Sequence, residues 1–478
     1  MINHSKIQVS KKSILIAFGI FAISAAAILT AVLLKFALVQ KIKTEHTAVS
    51  YIVLAGIVFT ILLSYLIYIL YSRAPLVQNL RLLAAVYFSV TVTVIACLYL
   101  EIVSVFLMPV MFTAFLLAPL TRGRDVFVSN VFSNLLIFFV LTTQNYFGAG
   151  DDYFKIITMF AIGVIGGTAI SYWVNSNAHR LPLVLKGMLV AVLGVGVAFA
   201  IVVGFGGQGQ LKILGYLSLG TIGQVLLSFM MQPINESMFN LLTNTRLAEL
   251  TDHKMPLIKR LIEEAPGTFN HSLAVANFAE ICASAIGENP YLARACAYYH
   301  DIGKLVNPQF FKENQPTGEN PHDGLLPEVS AEIIRSHTIE GKRLCDEYRI
   351  PHEISDVTIE HHGTLPIYIF LNKAKQLTDA AVEKNAYCYY GRTPKSKLTA
   401  IIMLCDSSEA AIRSMNDPDP ERVDALLRKI IADRIADGQF NDCDISLRDL
   451  DTIRQTIVGS FGGQFHKRLQ YPDGSSSK

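Results

Sequence analysis

Two kinds of hydrophobic pattern divide this chain near residue 232. Before it, apolar residues come in long unbroken runs: Ile14–Leu34, Tyr51–Tyr71, Leu82–Leu100, Val103–Leu120, Val126–Thr143, Ile156–Trp173, Gly187–Val203 and Ile213–Met231. Each approaches the ~20 residues that a helix needs to cross ~30 Å of hydrocarbon. The pattern therefore predicts a transmembrane bundle of about eight helices over 1–232. Only Glu101-Ile102 separates the third run from the fourth, so these two form either a very tight hairpin or one bent element. The first run reads as an uncleaved helix, because a secretory signal has an apolar core of only ~7–15 residues. Eight crossings would return both ends of the bundle to one side.

After Pro233 the apolar positions recur at threes, fours and sevens, the period of a helix with one buried face. Leu241, Leu242, Leu247, Leu250, Leu257, Ile258, Leu261 and Ile262 predict a connecting helix over 233–264. It either packs on its own domain or couples the last span to that domain. A homodimer through this helix, or through the bundle, is a further use of the same apolar stripe. Ala265-Pro266-Gly267 breaks the pattern, and Thr268 is placed to cap the helix that follows. From 265 to 470 the period predicts helices over 269–286, 290–303, 326–346, 353–362, 367–384, 396–415, 420–437 and 447–468, with no alternating strand pattern between them. Residues 471–478, rich in Gly and Ser, are predicted to be a flexible tail. The fold class expected is all-α: an N-terminal polytopic transmembrane helix bundle, then a C-terminal cytoplasmic all-helical domain.

Composition sharpens the division. The 478 residues are 51% hydrophobic with a mean hydropathy of +0.39, too apolar for an ordinary soluble chain of this length. The net charge of +2 conceals opposite halves: 14 Lys and Arg against 5 Asp and Glu before Pro233, and 27 against 34 from there on. An acidic domain is a poor passive binder of DNA or RNA, so any phosphate it handles must be met by local cations. Lys6, Lys11, Lys12, Arg73, Arg81, Arg122, Arg124 and Arg180 fall on the amino-terminal side of an eight-pass bundle, and Glu101 and Asp151-Asp152 fall opposite. Excess positive charge marks the cytoplasmic face, which places both ends in the cytoplasm of a multi-pass protein of the cell membrane. Lys35, Lys41 and Lys43 run against that trend. No span stacks facing charges as an ion pathway requires, which argues against transport. Gly163 and Gly167 suit close helix contact inside the bundle. The 7 cysteines include no CxxC pair, as expected where cysteine serves as a small apolar residue in a reducing compartment.

The chemistry lies in the histidines. Seven of the 12 fall between 271 and 362. His300-Asp301 offers an imidazole beside a carboxylate whose two oxygens can bridge two ions. His271, His300, Asp301 and Asp406 would give one ion two imidazoles and two carboxylates. His337, His361 and His362 would give a second ion three imidazoles, with Asp301 shared. Such sets, with open positions for water, suit Mn, Fe or Zn rather than Mg or Ca. Neighbouring helical residues point ~100° apart, so His361 and His362 would bind from a helix end, and with His337 they are the reason to invoke a second ion. Two ions ~3.5–4 Å apart can hold an activated hydroxide against a phosphoryl oxygen for in-line attack. Asp301 and Lys304 are the catalytic candidates, Lys304 lying one turn beyond His300, where it could meet a non-bridging oxygen or the leaving alkoxide. A plain helix-end charge is its other reading. Asn270, Lys304 and Arg392 are the candidate substrate contacts, although a cap accounts equally for Asn270 and an ordinary turn accounts better for Arg392. His322 and His352 read as locally bonded residues rather than ligands.

The ordered pieces Asn270-His271-Ser272, His300-Asp301-Ile302-Gly303-Lys304, Ser336-His337, His361-His362-Gly363-Thr364 and Leu404-Cys405-Asp406-Ser407 resemble the HD-domain phosphohydrolases. They resemble more closely the membrane-bound 7TM-HD branch, whose members degrade cyclic di-AMP. The likeness covers the last several spans and the whole helical domain. It implies a helical HD fold, a pair of Mn or Fe ions at His271, His300, Asp301, His337, His361, His362 and Asp406, and cleavage of cyclic di-AMP to linear pApA. Many members of the branch carry an extracellular sensor domain after the first span, whereas about sixteen residues join the first two runs here. The Gly-Tyr-Pro signature of the related cyclic di-GMP enzymes is absent. Two rivals stay open: an HD hydrolase of cyclic di-GMP or another nucleotide, and a membrane receptor that binds nucleotide without turnover.

Overall fold

The computed structural model describes residues 10–39, 47–72, 74–148, 152–173, 180–204, 209–315, 320–378 and 381–464. The tail over 471–478, and Lys6, Lys41, Lys43, Arg73 and Asp151, lie outside them. The chain divides into two compact units, Met1–Arg246 and Leu247–Lys478. Among the described residues all regular structure is helical, apart from one isolated bridge between Pro366 and Cys388.

Among the described residues of the first unit, seven helices are long and apolar enough to cross a membrane. They are α1 (Lys11–Val39), α2 (Thr47–Ser72), α3 (Leu80–Leu100), α4 (Gly123–Gly148), α5 (Tyr153–Trp173), α6 (Arg180–Gly204) and α7 (Gln210–Met238). The fourth expected helix is not among them, which corrects eight to seven. After Leu100 come a turn, a 3-10 segment Val105–Leu107 and only six α-helical residues, Phe112–Leu117. Pro109 lies between the two, where it removes a backbone donor and breaks the helix.

The run nevertheless passes from one end of the bundle to the other. Lys35, near the end of α1, pairs with Glu101 just past α3 and donates to Gln144 near the end of α4 at 3.0 Å. The ends of α1, α3 and α4 therefore lie together. At the other end Tyr65, late in α2, meets Ser129, early in α4, at 2.6 Å. The chain leaving α3 must traverse the bundle to reach the start of α4, and it does so as a broken pass. Non-helical backbone at this depth is tolerated only where protein satisfies it. Asn134 donates to the Val110 carbonyl at 2.9 Å, and the Met111 amide donates to Gln224 Oε1 at 3.0 Å. A β-carbon on Gly220 would sit 2.8 Å from Leu107 O, and one on Gly163 3.0 Å from the Val110 side chain. Gly163 and Gly167 thus close contacts inside one bundle, Gly167 against Asn130. Lys35 is buried in this unit rather than lying in a loop, so it does not count against the charge rule.

The boundary between units differs from the expected one. Helix α7 runs through Pro233 to Met238, and the division falls inside α8 (Asn244–Leu250). The connecting helix over 233–264 is not continuous: Asn240 turns the chain at φ +47°, α8 follows, and Pro256 opens α9 (Pro256–Glu264). Leu257, Ile258 and Leu261 of α9 are buried on the helical domain itself.

That domain comprises α10 (Pro266–Ala285), α11 (Pro290–Tyr299), α12 (Pro327–Glu347), α13 (Tyr368–Leu377), α14 (Lys397–Arg413), α15 (Pro420–Ala436) and α16 (Leu447–Gln464). Proline at the first helical position, where an amide donor is not needed, opens α10, α11, α12 and α15. Thr268 does not cap α10, since it lies inside the helix; Asn314 instead accepts from the Thr268 amide at 3.0 Å. Helix α14 is central, buried at every residue from Thr399 to Asp406, and packs on α10, α11 and α15. All seven cysteines are free, and five of them are buried. The expected 290–303 helix stops at Tyr299, the 353–362 helix divides into His352–Ser355 and Val357–Glu360, and the 367–384 helix ends at Leu377. The first two of these breaks make the site.

Candidate metal centre

Helix α11 ends at Tyr299, and His300 and Asp301 occupy the turn before a 3-10 segment, Ile302–Val306. Gly303 lets that segment lie against α12, for a β-carbon there would sit 1.8 Å from His337 O and 2.5 Å from Gly341 N. His361 and His362 follow the short helix Val357–Glu360, and Gly363 reverses the chain after them at φ +56°, a conformation that suits glycine. Buried faces of α10, α12 and α14 supply His271, His337 and Asp406.

Asp301 stands between two sets of imidazoles. Its Oδ1 lies 3.4 Å from His337 Nε2 and 3.6 Å from His361 Nε2. Its Oδ2 lies 3.2 Å from His300 Nε2 and 3.6 Å from His271 Nε2. Asp406 Oδ1 is 3.0 Å from His271 Nε2, and its Oδ2 is 3.7 Å from His362 Nδ1. The donors form two groups, Asp301 with His337, His361 and His362, and His271 with His300 and Asp406, each with its ligand atoms within 4.8 Å of one another. Four rings are fixed from behind. Nδ1 of His300, His337 and His361 donates to the carbonyls of Ala297, Ile334 and Val357 at 2.6, 2.5 and 2.9 Å. His271 Nδ1 donates to Glu409 Oε2 at 2.6 Å. Such bonds set ring orientation and aim Nε2 at the centre.

His300 Nε2 and Asp301 Oδ1 are buried without a hydrogen-bond partner, and orphaned buried atoms of this kind call for a missing partner. A cation in each group provides one. The protonation states suit it. Burial pushes His337 down to about 3, with Asp301 opposing only in part. Burial, with His361 adding to it, holds His362 well below its ordinary value. Burial raises the carboxyls of Asp301 and Asp406, but the surrounding imidazoles, joined at Asp301 by Lys304, outweigh it and hold both below the carboxylate range. His271 differs: burial lowers it, yet its bonds to Asp406 and Glu409 push it up to about 10. An incoming ion must displace that proton. The donor set, imidazole and carboxylate without thiolate, fits a divalent transition metal.

Lys304 joins the site, its Nζ 2.7 Å from both Asp301 Oδ2 and Glu313 Oε1. Burial would lower its pKa, but those carboxylates hold it above the ordinary value. Asn270 is exposed on α10 beside His271. Arg392 is not gathered in. Its Nε and Nη2 hold Glu360 and Asp356, each at 2.8 Å, tethering its loop to the helix before His361. His322 bonds Phe310 O at 3.0 Å and packs between Phe310 and Phe370, while His352 pairs with Glu353. Three residues were not anticipated: Glu409 behind His271, Glu313 behind Lys304, and Tyr389, whose ring stacks on His362 with centroids 4.3 Å apart. Glu409 carried a signal, three residues after Asp406 on one helix; the others carried none.

Residues 268–411, which enclose all seven donors, match the HD domain. This part of the chain is an HD domain. An HD domain implies divalent-metal binding, and the His/Asp cluster is the place for it here. The chain is 36% identical over 409 residues to the cyclic-di-AMP phosphodiesterase PgpH of Listeria monocytogenes, an alignment covering 84% of this chain and 55% of that protein. It is 39% identical over 323 residues to the Bacillus subtilis protein of the same name, covering 66% of this chain and 45% of the relative. It thus spans about half the length of these relatives. A crystal structure of the L. monocytogenes PgpH HD domain in complex with cyclic-di-AMP is 44% identical and covers 45% of this chain and 100% of that one, with a TM-score of 0.43.

Proposed function

We propose that this chain is a membrane-anchored phosphodiesterase that hydrolyses cyclic di-AMP to pApA, using two ions, Mn or Fe, at His271, His300, Asp301, His337, His361, His362 and Asp406. The observation that carries the reading is Asp301, whose two oxygens face two separate histidine groups. Bound metals would supply an acidified water and a Lewis-acid pull on the phosphoryl oxygen. The chain supplies the rest. Asp301 joins the two groups, and the carbonyls and Glu409 behind the imidazoles keep them in place. Lys304, held between Asp301 and Glu313, stands where it can meet a non-bridging phosphoryl oxygen as negative charge develops. Asn270 lies beside His271 on the exposed side of α10, a position open to substrate. The tether of Arg392 to Asp356 and Glu360 speaks against a substrate role for it.

Adenine is chosen over guanine because two relatives named for cyclic di-AMP match at 36% and 39% identity. The cytoplasmic side is favoured by the even number of passes together with Lys11, Lys12, Arg81, Arg122 and Arg124 at the amino-terminal face. The test is turnover by the full chain in detergent with Mn²⁺, offered cyclic di-AMP or cyclic di-GMP, beside the double variant His300→Ala/Asp301→Ala. Release of pApA that vanishes in the variant is expected. Preference for cyclic di-GMP would move the substrate, and no turnover of either with metal bound would overturn the hydrolase.

A further inference from the structure

Arg434, in the last turn of α15, is placed unlike most arginines of its domain. Arg260, Arg294, Arg392, Arg413, Arg428 and Arg454 all pair with carboxylates. The Arg434 side chain makes one hydrogen bond among the described residues, from Nη2 to Ser407 Oγ at 3.2 Å, and its Nε is buried without a partner. Ser407 directly follows the donor Asp406. Burial pushes the guanidinium pKa down, while Asp437, Asp406 and Asp433 pull it up from beyond pairing distance.

The position is fixed from both sides. Gln439 donates its amide to Arg434 O at 3.0 Å, and its side chain bonds Thr364 twice, accepting from the amide at 3.2 Å and donating to Oγ1 at 3.0 Å. Thr364 ends the His361-His362-Gly363 turn. The end of α15 is thereby fastened to the turn that carries two donors, and through Ser407 to the helix that carries a third. A charge at a helix C-terminus would explain a cation there, but not a guanidinium turned toward α14 with a buried, unused donor. Losing water without gaining a partner is unfavourable. The partner that a planar fork of N–H donors fits best is an anion with two oxygens, of which phosphate is the chief biological example.

Resting on the phosphodiesterase reading above, we propose that Arg434 binds the second, uncleaved phosphodiester of the cyclic dinucleotide. Its side chain bonds Ser407 and, among the described residues, forms no hydrogen bond or ion pair with any of the seven donors, so it meets an anion beside the centre rather than the one undergoing attack. A cyclic dinucleotide has such a second phosphate, and a simple diester does not.

The full chain in detergent with Mn²⁺, as wild type, Arg434→Gln and Arg434→Lys, separates the outcomes. For Arg434→Gln the KM for cyclic di-AMP should rise about tenfold to a hundredfold, the range for losing charged hydrogen bonds, with kcat within about threefold and metal content unchanged. Arg434→Lys should recover part of the loss. Cleavage of bis(p-nitrophenyl) phosphate, which has one phosphorus, should be unaffected. An unchanged KM for cyclic di-AMP would overturn the assignment, and so would equal damage to both substrates. Wild-type protein inert toward cyclic di-AMP would instead sink the substrate reading. Calorimetric binding of inorganic pyrophosphate to the metal-loaded protein then still decides the role of Arg434, because equal affinity in wild type and Arg434→Gln refutes it.

Discussion

Replacing Glu409 should weaken one metal position and spare the other. Glu409 Oε2 accepts from His271 Nδ1 at 2.6 Å in a carboxylate side chain only 1% exposed, and Arg413 holds its other oxygen. The other three fixed rings lean on neutral carbonyls, so His271 alone has a charged partner behind it. Glu409→Gln keeps an acceptor of similar shape and removes the charge. A hydrogen bond to a charged group contributes about 1.5–3 kcal/mol, or roughly tenfold to a hundredfold in affinity, which is also the usual range for removing a partner behind a ligand. The loss should fall on the ion held by His271, His300 and Asp406, because His337, His361 and His362 do not touch Glu409. Elemental analysis after dialysis should then give about one ion per chain where the wild type retains two, and reloading should follow a two-step titration. Arg413→Ala, which removes a half-exposed cation but leaves the Glu409–His271 bond, should cost far less. Two ions held by Glu409→Gln with wild-type affinity would show that the carboxylate does not support His271 as a ligand.

Other expectations follow from the same geometry. Lys304→Gln should lower kcat by about 10²-fold with metal content retained, the size of effect seen when one positioned donor is lost; unchanged turnover would reduce Lys304 to a local ion pair. Gly303→Ala should destabilise the helical domain by about 3 kcal/mol or more, since its β-carbon would collide with the backbone of α12; thermal denaturation of the metal-free chain reads this directly. Metal-free His271, raised to about 10, still carries a proton at neutral pH, so loading should release about one proton per chain and affinity should fall as pH is lowered. Titration calorimetry between pH 7 and 8 in buffers of different ionisation enthalpy measures that release, and a value near zero would contradict the assigned protonation.

What the sequence reveals here depends on how far away each partner lies. Helices α10 to α16 were legible because each satisfies its own backbone and shows its buried face within a few residues. The seven residues that the structure gathers were legible as a group because only a few side-chain types bind metal and they cluster along the chain. The fourth membrane pass was not: a hydropathy window sees Val103–Leu120 as one run, while its broken form depends on Asn134 and Gln224, which satisfy the exposed backbone from other helices. Tyr389, Glu313 and Arg434 lie in loops or at a helix end and meet the centre only through tertiary contacts, so no spacing announces them. Arg392 is the opposite case. Its turn looks like a phosphate loop, yet Asp356 and Glu360, four residues apart on one helical face, already matched it as partners.

Charge bears on how an acidic domain would hold the proposed anionic dinucleotide. From Pro233 on, acidic residues outnumber basic ones by 34 to 27, which by itself repels phosphate. A pair of divalent ions would invert that locally: Asp301 and Asp406 would set two negative charges against their four, leaving about two positive charges in a buried site. The surrounding ions largely cancel in pairs, Lys304 with Glu313 and Arg413 with Glu409, so they shape the centre without changing its sign. Exposed carboxylates farther off than ~8–10 Å are screened by salt. The excess positive charge would then lie chiefly on the ions, with Arg434, whose side chain pairs with no carboxylate among the described residues, as a second place for an anion. A ligand with two phosphodiesters can use both places at once, whereas a ligand with one leaves Arg434 unpaired. Preference for a dinucleotide would thus follow from where the positive charge lies, before any contact with the bases is considered.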